Sequence, residues 1–120
     1  MTNQVVWFDI PVRSLDRAIH FYSAVLGAEV TRQEFPERVI GVLPHAGNFV
    51  SGCLYESEMD APSEHGPLLY LNAEGRLDEA VAAVEHWGGK VLEPKHEIGM
   101  WGYRAVVLDS EGNRIALHSK

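Results

Sequence analysis

The sequence predicts an α+β fold: two tandem βαβββ modules forming a cupped eight-stranded mixed sheet with two outer helices. Three observations predict it. Short β-branched and aromatic runs alternate with two stretches of helical apolar periodicity. The order strand, helix, three strands occurs twice. The two copies also match residue by residue at an offset of 62. Leu15-Asp16 corresponds to Leu77-Asp78, Ala18-Ile19 to Ala80-Val81, Gly27 to Gly89 and Val30 to Leu92. One module alone leaves a sheet face uncovered, so the two are expected to pair, within one chain or between chains.

The first module opens with an apolar run, Val5 to Ile10, read as a strand that Pro11 ends because proline donates nothing to a ladder. Ser14 offers an N-cap. Leu15, Ala18, Ile19, Tyr22, Val25 and Leu26 then recur at helical spacing, and Gly27 supplies a stop, giving a helix over Leu15–Leu26. Strands follow at Glu29–Phe35, Arg38–Leu43 and Phe49–Tyr55, separated by Pro36-Glu37 and Pro44–Asn48. Residues 56–66, rich in Ser, Pro, Asp, Glu and Gly, read as a linker. The second module repeats the scheme. A strand at Leu68–Asn72 leads to a helix over Leu77–Trp87, with Ala80, Val81, Val84 and Trp87 on one face and Gly88-Gly89 at its end. Strands at Val91–Glu93, Tyr103–Leu108 and Ile115–His118 complete it. The expected organisation is one domain over residues 1–120, with modules at about 5–55 and 67–118.

Composition narrows the function classes. The chain of 120 residues is 46% hydrophobic and 22% charged, which excludes disorder and low complexity. Cys53 is the only cysteine, so a disulfide framework is excluded. Ten Lys and Arg against 17 Asp and Glu give a formal charge of −7, which disfavours nucleic acid as a partner. The opening residues lack a signal-peptide pattern, and no apolar run reaches bilayer length. The expectation is a cytoplasmic protein with no membrane partner. No G-x-G-x-x-G, P-loop or nucleophile-elbow pattern occurs, and Cys53 sits in an apolar run suited to an inert thiol.

Particular residues carry a family resemblance. Trp7-Phe8-Asp9-Ile10-Pro11-Val12 looks like the first strand of the vicinal oxygen chelate superfamily, which includes glyoxalase I, bleomycin-resistance proteins and extradiol dioxygenases. Leu15-Asp16-Arg17-Ala18-Ile19-His20-Phe21-Tyr22, closing with Val25-Leu26-Gly27, resembles its first helix. Asp109-Ser110-Glu111-Gly112-Asn113-Arg114 resembles its last hairpin. Gly88-Gly89-Lys90-Val91-Leu92, the stretch Pro94 to Gly99 and the ending Glu111 to Ser119 are similar to a glyoxalase-related subgroup. The resemblance spans residues 5–118 and implies the βαβββ duplication. One scaffold hosts many reactions, so it implies no single activity.

The resemblance also implies where a metal would sit. In this family four strands each give one His, Glu or Gln to a divalent ion that holds two substrate oxygens as a Lewis acid. The matching positions here are Trp7, Leu69, Ala116 and a residue within Ser51–Leu54. None is a good donor, so no metal ligand is assigned and no cofactor is expected. A divalent Zn, Ni, Fe or Mn ion enters only if the protein is a divergent enzyme.

Strand alternation supplies the candidate pocket. If Trp7 faces the concavity, so does Asp9. Leu69 then pairs with Leu71, and Ala116 with His118, while Phe8 and Ile10 pack beneath the helices. Such a lining, largely apolar and aromatic, suits a small organic ligand. His118 is the candidate catalytic residue, either as an acid–base group or as a substituted metal ligand; the alternative is a hydrogen-bonded histidine near a strand end. Asp9 is read as orienting His118, binding a ligand amine, or capping a loop. Tyr55 and Glu56 stand where a strand enters the acidic segment holding Glu58, Asp60, Glu64 and His65, which is read as a lid or as plain surface. Glu56 is a candidate replacement carboxylate. Gly99 and Gly102 flank Met100-Trp101, so Trp101 can be presented to a ligand or a second subunit, with Tyr103 beside it. Lys95 is a candidate for an anionic group. His96 and Glu97 are adjacent and would face opposite sides of a strand.

Two functions follow. The first is a binder that holds a small molecule in the concavity without the usual metal, in the manner of bleomycin-resistance proteins. The second is a divergent metal-dependent lyase, isomerase or dioxygenase related to lactoylglutathione lyase, using His118 with Glu56 or Asp9. A homodimer is expected in either case.

Overall fold

The structure, a computed structural model, describes residues 4–47 and 50–120. The chain runs β1 (Asp9–Val12), α1 (Leu15–Leu26), β2 (Thr31–Glu34), β3 (Val39–Val42), β4 (Cys53–Glu56), β5 (Leu69–Asn72), α2 (Leu77–His86), β6 (Lys90–Glu97), β7 (Tyr103–Leu108) and β8 (Arg114–Ser119). This is the expected βαβββ order, twice. Its eight strands lie in two four-stranded mixed sheets, ordered β1-β4-β3-β2 and β5-β8-β7-β6. The pairs β1–β4 and β5–β8 are parallel and the others antiparallel.

Local chemistry explains the helix bounds. The Ser14 side chain accepts from the Arg17 N–H at the start of α1, and Gly27 takes the left-handed conformation at its end, with φ 70°. Helix α2 ends at His86, one residue before the expected Trp87. Trp87 is 43% exposed and stacks edgewise on His86 instead of joining the core.

The strands depart from expectation in ways the sheet order explains. Pro11 does not end β1; it sits inside it, opposite Tyr55. β1 is an edge strand, where a missing N–H breaks no ladder. β6 extends past the expected Glu93 to Glu97 and takes in Pro94. It is likewise an edge strand, and its pairing with β7 shifts register on both sides of Glu93. β4 begins at Cys53. Of the expected strand Phe49–Tyr55, Phe49 lies outside the described residues.

One core cluster draws on both modules. Ile10, Val12, Phe21, Tyr22, Val25 and Leu54 of the first meet Leu71, Leu77, Val84, Val107, Ile115 and Leu117 of the second. Each sheet therefore has one face under the helices and one opposite them. The hairpin Asp109–Asn113 locks the modules together. Tyr22 donates its hydroxyl to Asp109 at 2.6 Å, and Asp109 also accepts from the backbone N–H groups of Glu111 and Asn113. Burial is the main reason the Tyr22 pKa is raised well above its ordinary value, followed by Asp109. The Asn113 side chain donates to the Pro11 carbonyl at 2.8 Å. Glu111, wholly enclosed, accepts from the N–H groups of Arg13 and Ser14 and from both ends of the Arg17 fork at 2.7 Å. Its carboxylate thus sits at the N-terminus of α1, where the helix dipole favours a negative charge. Burial alone pushes its pKa up. The hydrogen bonds from Arg17, Ser14, Ser110 and Arg13 outweigh that and hold it at about 2.

Candidate functional site

Most of the candidate residues gather on the face of the strands opposite the helices. In the first module, Ile40, Val42 and Cys53 form a small cluster with Tyr55 packed against it. Trp7 and Asp9 share this side: the Trp7 indole donates to Asp9 at 2.9 Å, and the Cys53 thiol donates to the same carboxylate oxygen at 3.1 Å. Burial, then the hydrogen bond to Asp9, pushes the Cys53 thiol up to about 11, so it remains a thiol at neutral pH. The Tyr55 hydroxyl donates to Asp60 at 2.9 Å. Burial and that bond raise its pKa.

In the second module the equivalent face holds Tyr70 and Asn72 from β5, Arg104 and Val106 from β7, and Ala116 and His118 from β8. Pairing places Tyr70 beside Ala116, Asn72 beside His118 and Arg104 beside His118. The Tyr70 and His118 rings meet edgewise with centroids 6.3 Å apart. His118 Nε2 lies 2.6 Å from the Trp101 carbonyl. A carbonyl only accepts, so this nitrogen carries a proton, and Nδ1 is the ring nitrogen turned away from that contact. The Arg104 guanidinium donates to the Tyr70 hydroxyl and, at 3.0 Å, to His96 Nε2. His96 in turn directs Nδ1 at the Pro94 carbonyl, 2.9 Å away, which fixes its tautomer.

The structure brings several of the candidates together and separates others. Trp7, Asp9 and Tyr55 share the face of the first module. His118 lies on that of the second, tied to the backbone of Trp101, whose side chain is 69% exposed. Three placements are corrected. Leu69 lies on the helix side, packed against the main core, and Tyr70 takes the outer position. The reason is one extra residue between strand and helix in the second module: the core positions Ile10 and Leu71 are 61 apart, whereas the helix starts Leu15 and Leu77 are 62 apart. The offset that aligns the helices therefore misaligns the strands by one residue, which exchanges the faces. Ile10 matches Leu71 in the core, Asp9 matches Tyr70, and Trp7 matches Leu68. Glu56 also turns to the helix side, following Leu54, and accepts from the Leu15 N–H at 2.8 Å; it caps α1 and does not replace a strand carboxylate. Tyr103 shares a face with the buried Ala105 and Val107, and Lys95 lies over its ring at 5.4 Å while pairing with Asp78. Tyr70 and Arg104 were not among the sequence candidates, and His96 was weighed only as a poor chelating partner of Glu97. Alternation with Ala116 and His118, applied to β7, would have flagged Arg104.

Two cavities flank the seam between the modules, and Phe8 lines both. One, of about 490 Å³, also meets Leu26, Leu43, Ser51, Tyr70 and Asn72. The other, of about 360 Å³, meets Asp9, His65, Leu69, Asn113 and Arg114. The acidic segment covering the second is anchored: Ser63 accepts from the Arg114 N–H through its carbonyl, and the Arg114 side chain donates to the Gly66 carbonyl.

The positions where the family's metal donors belong do not fit a metal. Trp7, Leu68 and Ala116 offer no donor, and the β4 residue on that face is Cys53, held as a thiol by Asp9. Among the described residues, no group of three or more His, Cys, Asp or Glu side chains is placed to hold an ion. No helix among the described residues is long and apolar enough to cross a membrane.

The family model described as Glyoxalase/Bleomycin resistance protein/Dioxygenase superfamily matches residues 4–117. The chain belongs to this superfamily. Superfamily members of known structure share its fold. A glyoxalase/bleomycin resistance protein from Albidiferax ferrireducens T118 is 20% identical, with a TM-score of 0.78 over 98% of this chain and 99% of that one. A glyoxalase-related enzyme from Fulvimarina pelagi is 16% identical, with a TM-score of 0.68 over 99% and 89%. A V278E mutant of glyoxalase I from Zea mays is 20% identical, with a TM-score of 0.70; the match covers 93% of this chain and 44% of the maize one. A comparison with curated protein sequences found no match. At these identities the likeness establishes the fold and leaves the chemistry to the site.

Proposed function

We propose that this superfamily member binds a small organic molecule on the strand face opposite the helices, without the family's metal. The observation that carries this reading is the set of residues at the metal positions. Trp7, Leu68 and Ala116 replace donors with apolar surface, and Cys53 stays protonated. What remains is a site of binding character. Aromatic surface is exposed at Trp7 and Tyr70, apolar cavities lie at the seam, and a few polar groups are fixed by hydrogen bonds. The bleomycin-resistance branch of the superfamily supplies the analogy for such a role.

A second reading, a divergent lyase, isomerase or dioxygenase, rests on His118, whose Nε2 is held by the Trp101 carbonyl and whose ring meets that of Tyr70, leaving Nδ1 as the position for proton transfer. Both readings take the protein as cytoplasmic and homodimeric; the dimer is supported by the exposed Met100 and Trp101 and is checked by light scattering.

The test is elemental analysis of untagged protein purified without chelators, followed by a thermal-shift screen of small molecules. The binder reading expects no stoichiometric metal and at least one stabilising compound whose effect survives in His118→Ala. One Zn, Ni, Fe or Mn per subunit would overturn it in favour of the enzyme.

A further inference from the structure

The most enclosed cation among the ion pairs has the poorest anionic partner. Arg17, Arg32 and Lys95 each reach a carboxylate at 2.7, 2.7 and 3.1 Å, with side chains 54%, 47% and 42% exposed. Arg104 is only 23% exposed, yet its nearest carboxylate, Glu93, stands 3.9 Å from Nη2, beyond hydrogen-bond range. Its other partners are neutral: the Tyr70 hydroxyl and the ring of His96, which must be unprotonated at Nε2 to accept. A partly buried guanidinium whose hydrogen-bond acceptors are neutral, and whose carboxylate partner is more than half exposed and out of hydrogen-bond range, is only partly compensated and gains from a further anion.

The neighbouring donors point the same way. Tyr70 accepts from Arg104, so its own hydroxyl hydrogen is free to donate elsewhere. Asn72, next on that face of β5, uses its carbonyl oxygen to accept from the Glu74 N–H and keeps its amide hydrogens. Tyr70 and Asn72 also line the larger seam cavity, whose other walls include Phe8, Leu26 and Leu43. Arg104 itself does not line that cavity, but its bond to the Tyr70 hydroxyl sets it beside the rim of a partly apolar space of about 490 Å³, within the range of small-molecule sites.

We infer that Arg104, Tyr70 and Asn72 form a carboxylate subsite, and that the ligand is a small organic acid whose apolar body enters the seam beside Phe8 and Leu43. The inference rests on the small-molecule reading above and deepens it. A carboxylate suits the fork geometry of arginine and brings one negative charge. A phosphoryl group would bring up to two, against a single guanidinium that Glu93 already faces.

The experiment is a titration followed by amide and side-chain NMR shifts, with benzoate, benzamide and phenyl phosphate as probes. Benzoate is expected to bind in the millimolar range and to shift the signals of Tyr70, Arg104 and Asn72, with benzamide roughly tenfold weaker, a difference of about 1.4 kcal/mol. Added salt should weaken benzoate and leave benzamide unchanged. Arg104→Met should abolish the preference for benzoate. Arg104→Lys, which keeps the charge but loses the fork, should retain part of it and guards against a folding defect in the first variant. Equal binding of benzoate and benzamide, unchanged benzoate binding in Arg104→Met, or tighter binding of phenyl phosphate would each overturn the carboxylate subsite. In all three cases neutral binding at the seam would leave the small-molecule reading standing. Failure of every probe would overturn the subsite as well, and the thermal-shift screen then decides the broader reading on its own.

Discussion

Glu111 shows how much a single side chain can decide. Its folded pKa of about 2 lies below the ordinary carboxylate value of 4.5. A depressed carboxylate stabilises the fold above its unfolded pKa, and that contribution is lost as pH falls from about 4.5 towards 2. Glu111→Gln is expected to cost about 2–3 kcal/mol in urea denaturation at neutral pH, because an amide offers one acceptor where several donors converge. The difference from wild type should shrink as the medium approaches pH 2. Cys53 gives a second expectation. With its pKa near 11 and its side chain buried, it should resist a thiol reagent in the folded protein at pH 8 and react fully in denaturant. The sequence showed Glu111 only as part of a hairpin pattern. Its role depends on Arg17 and the start of α1, more than ninety residues away, a proximity that periodicity does not carry. The faces taken by Asp9 and His118 were legible because alternation along one strand needs no distant information, but Asp9 does not orient His118: it accepts from Trp7 and Cys53, and His118 is tied to the Trp101 carbonyl. The Arg104–Tyr70–His96 group was not legible, since it joins three strands.

At the scale of elements, the helices were the most legible. The stripe from Leu15 to Val25, the Ser14 cap and the Gly27 stop are all local, and α1 lies where they place it. Strand ends were less so, because Pro11 and Pro94 break a strand only when the neighbouring ladder needs their N–H, and sheet order decides that. The strand-to-helix link of the second module had the largest consequence, exchanging Leu69 for Tyr70 on the working face. The turn after α2 permits a direct test of packing. A Cβ at Gly89 would stand 2.4 Å from the Leu108 carbonyl oxygen and 2.7 Å from the Phe21 ring. Gly89→Ala should therefore destabilise by roughly 2–3 kcal/mol, read from the urea midpoint. A wild-type midpoint would show that this turn relaxes freely.

Across the whole molecule, the fold was legible because the duplication repeats one pattern of periodicities, and the superfamily match over residues 4–117 agrees with it. How the halves join was not legible. A shared core and the buried Tyr22–Asp109 bond span both halves, so they are expected to unfold as one cooperative unit. Unfolding followed at Trp7, with Trp87→Phe and Trp101→Phe in place, should coincide with unfolding followed at Trp101, with Trp7→Phe and Trp87→Phe. Separate midpoints would mean that the modules melt independently.

The Glu111 clasp also has a consequence for biosynthesis. A ribosome delivers α1 long before it delivers the carboxylate that receives the N–H groups at its start, 97 and 98 positions downstream. Throughout that interval the nascent first half has its Ser14 and Glu56 caps but lacks the Glu111 clasp, its Tyr22 acceptor and the second module's share of the apolar lining. The first module is thus expected to complete its native packing only once the final hairpin has been made, and to present apolar surface until then.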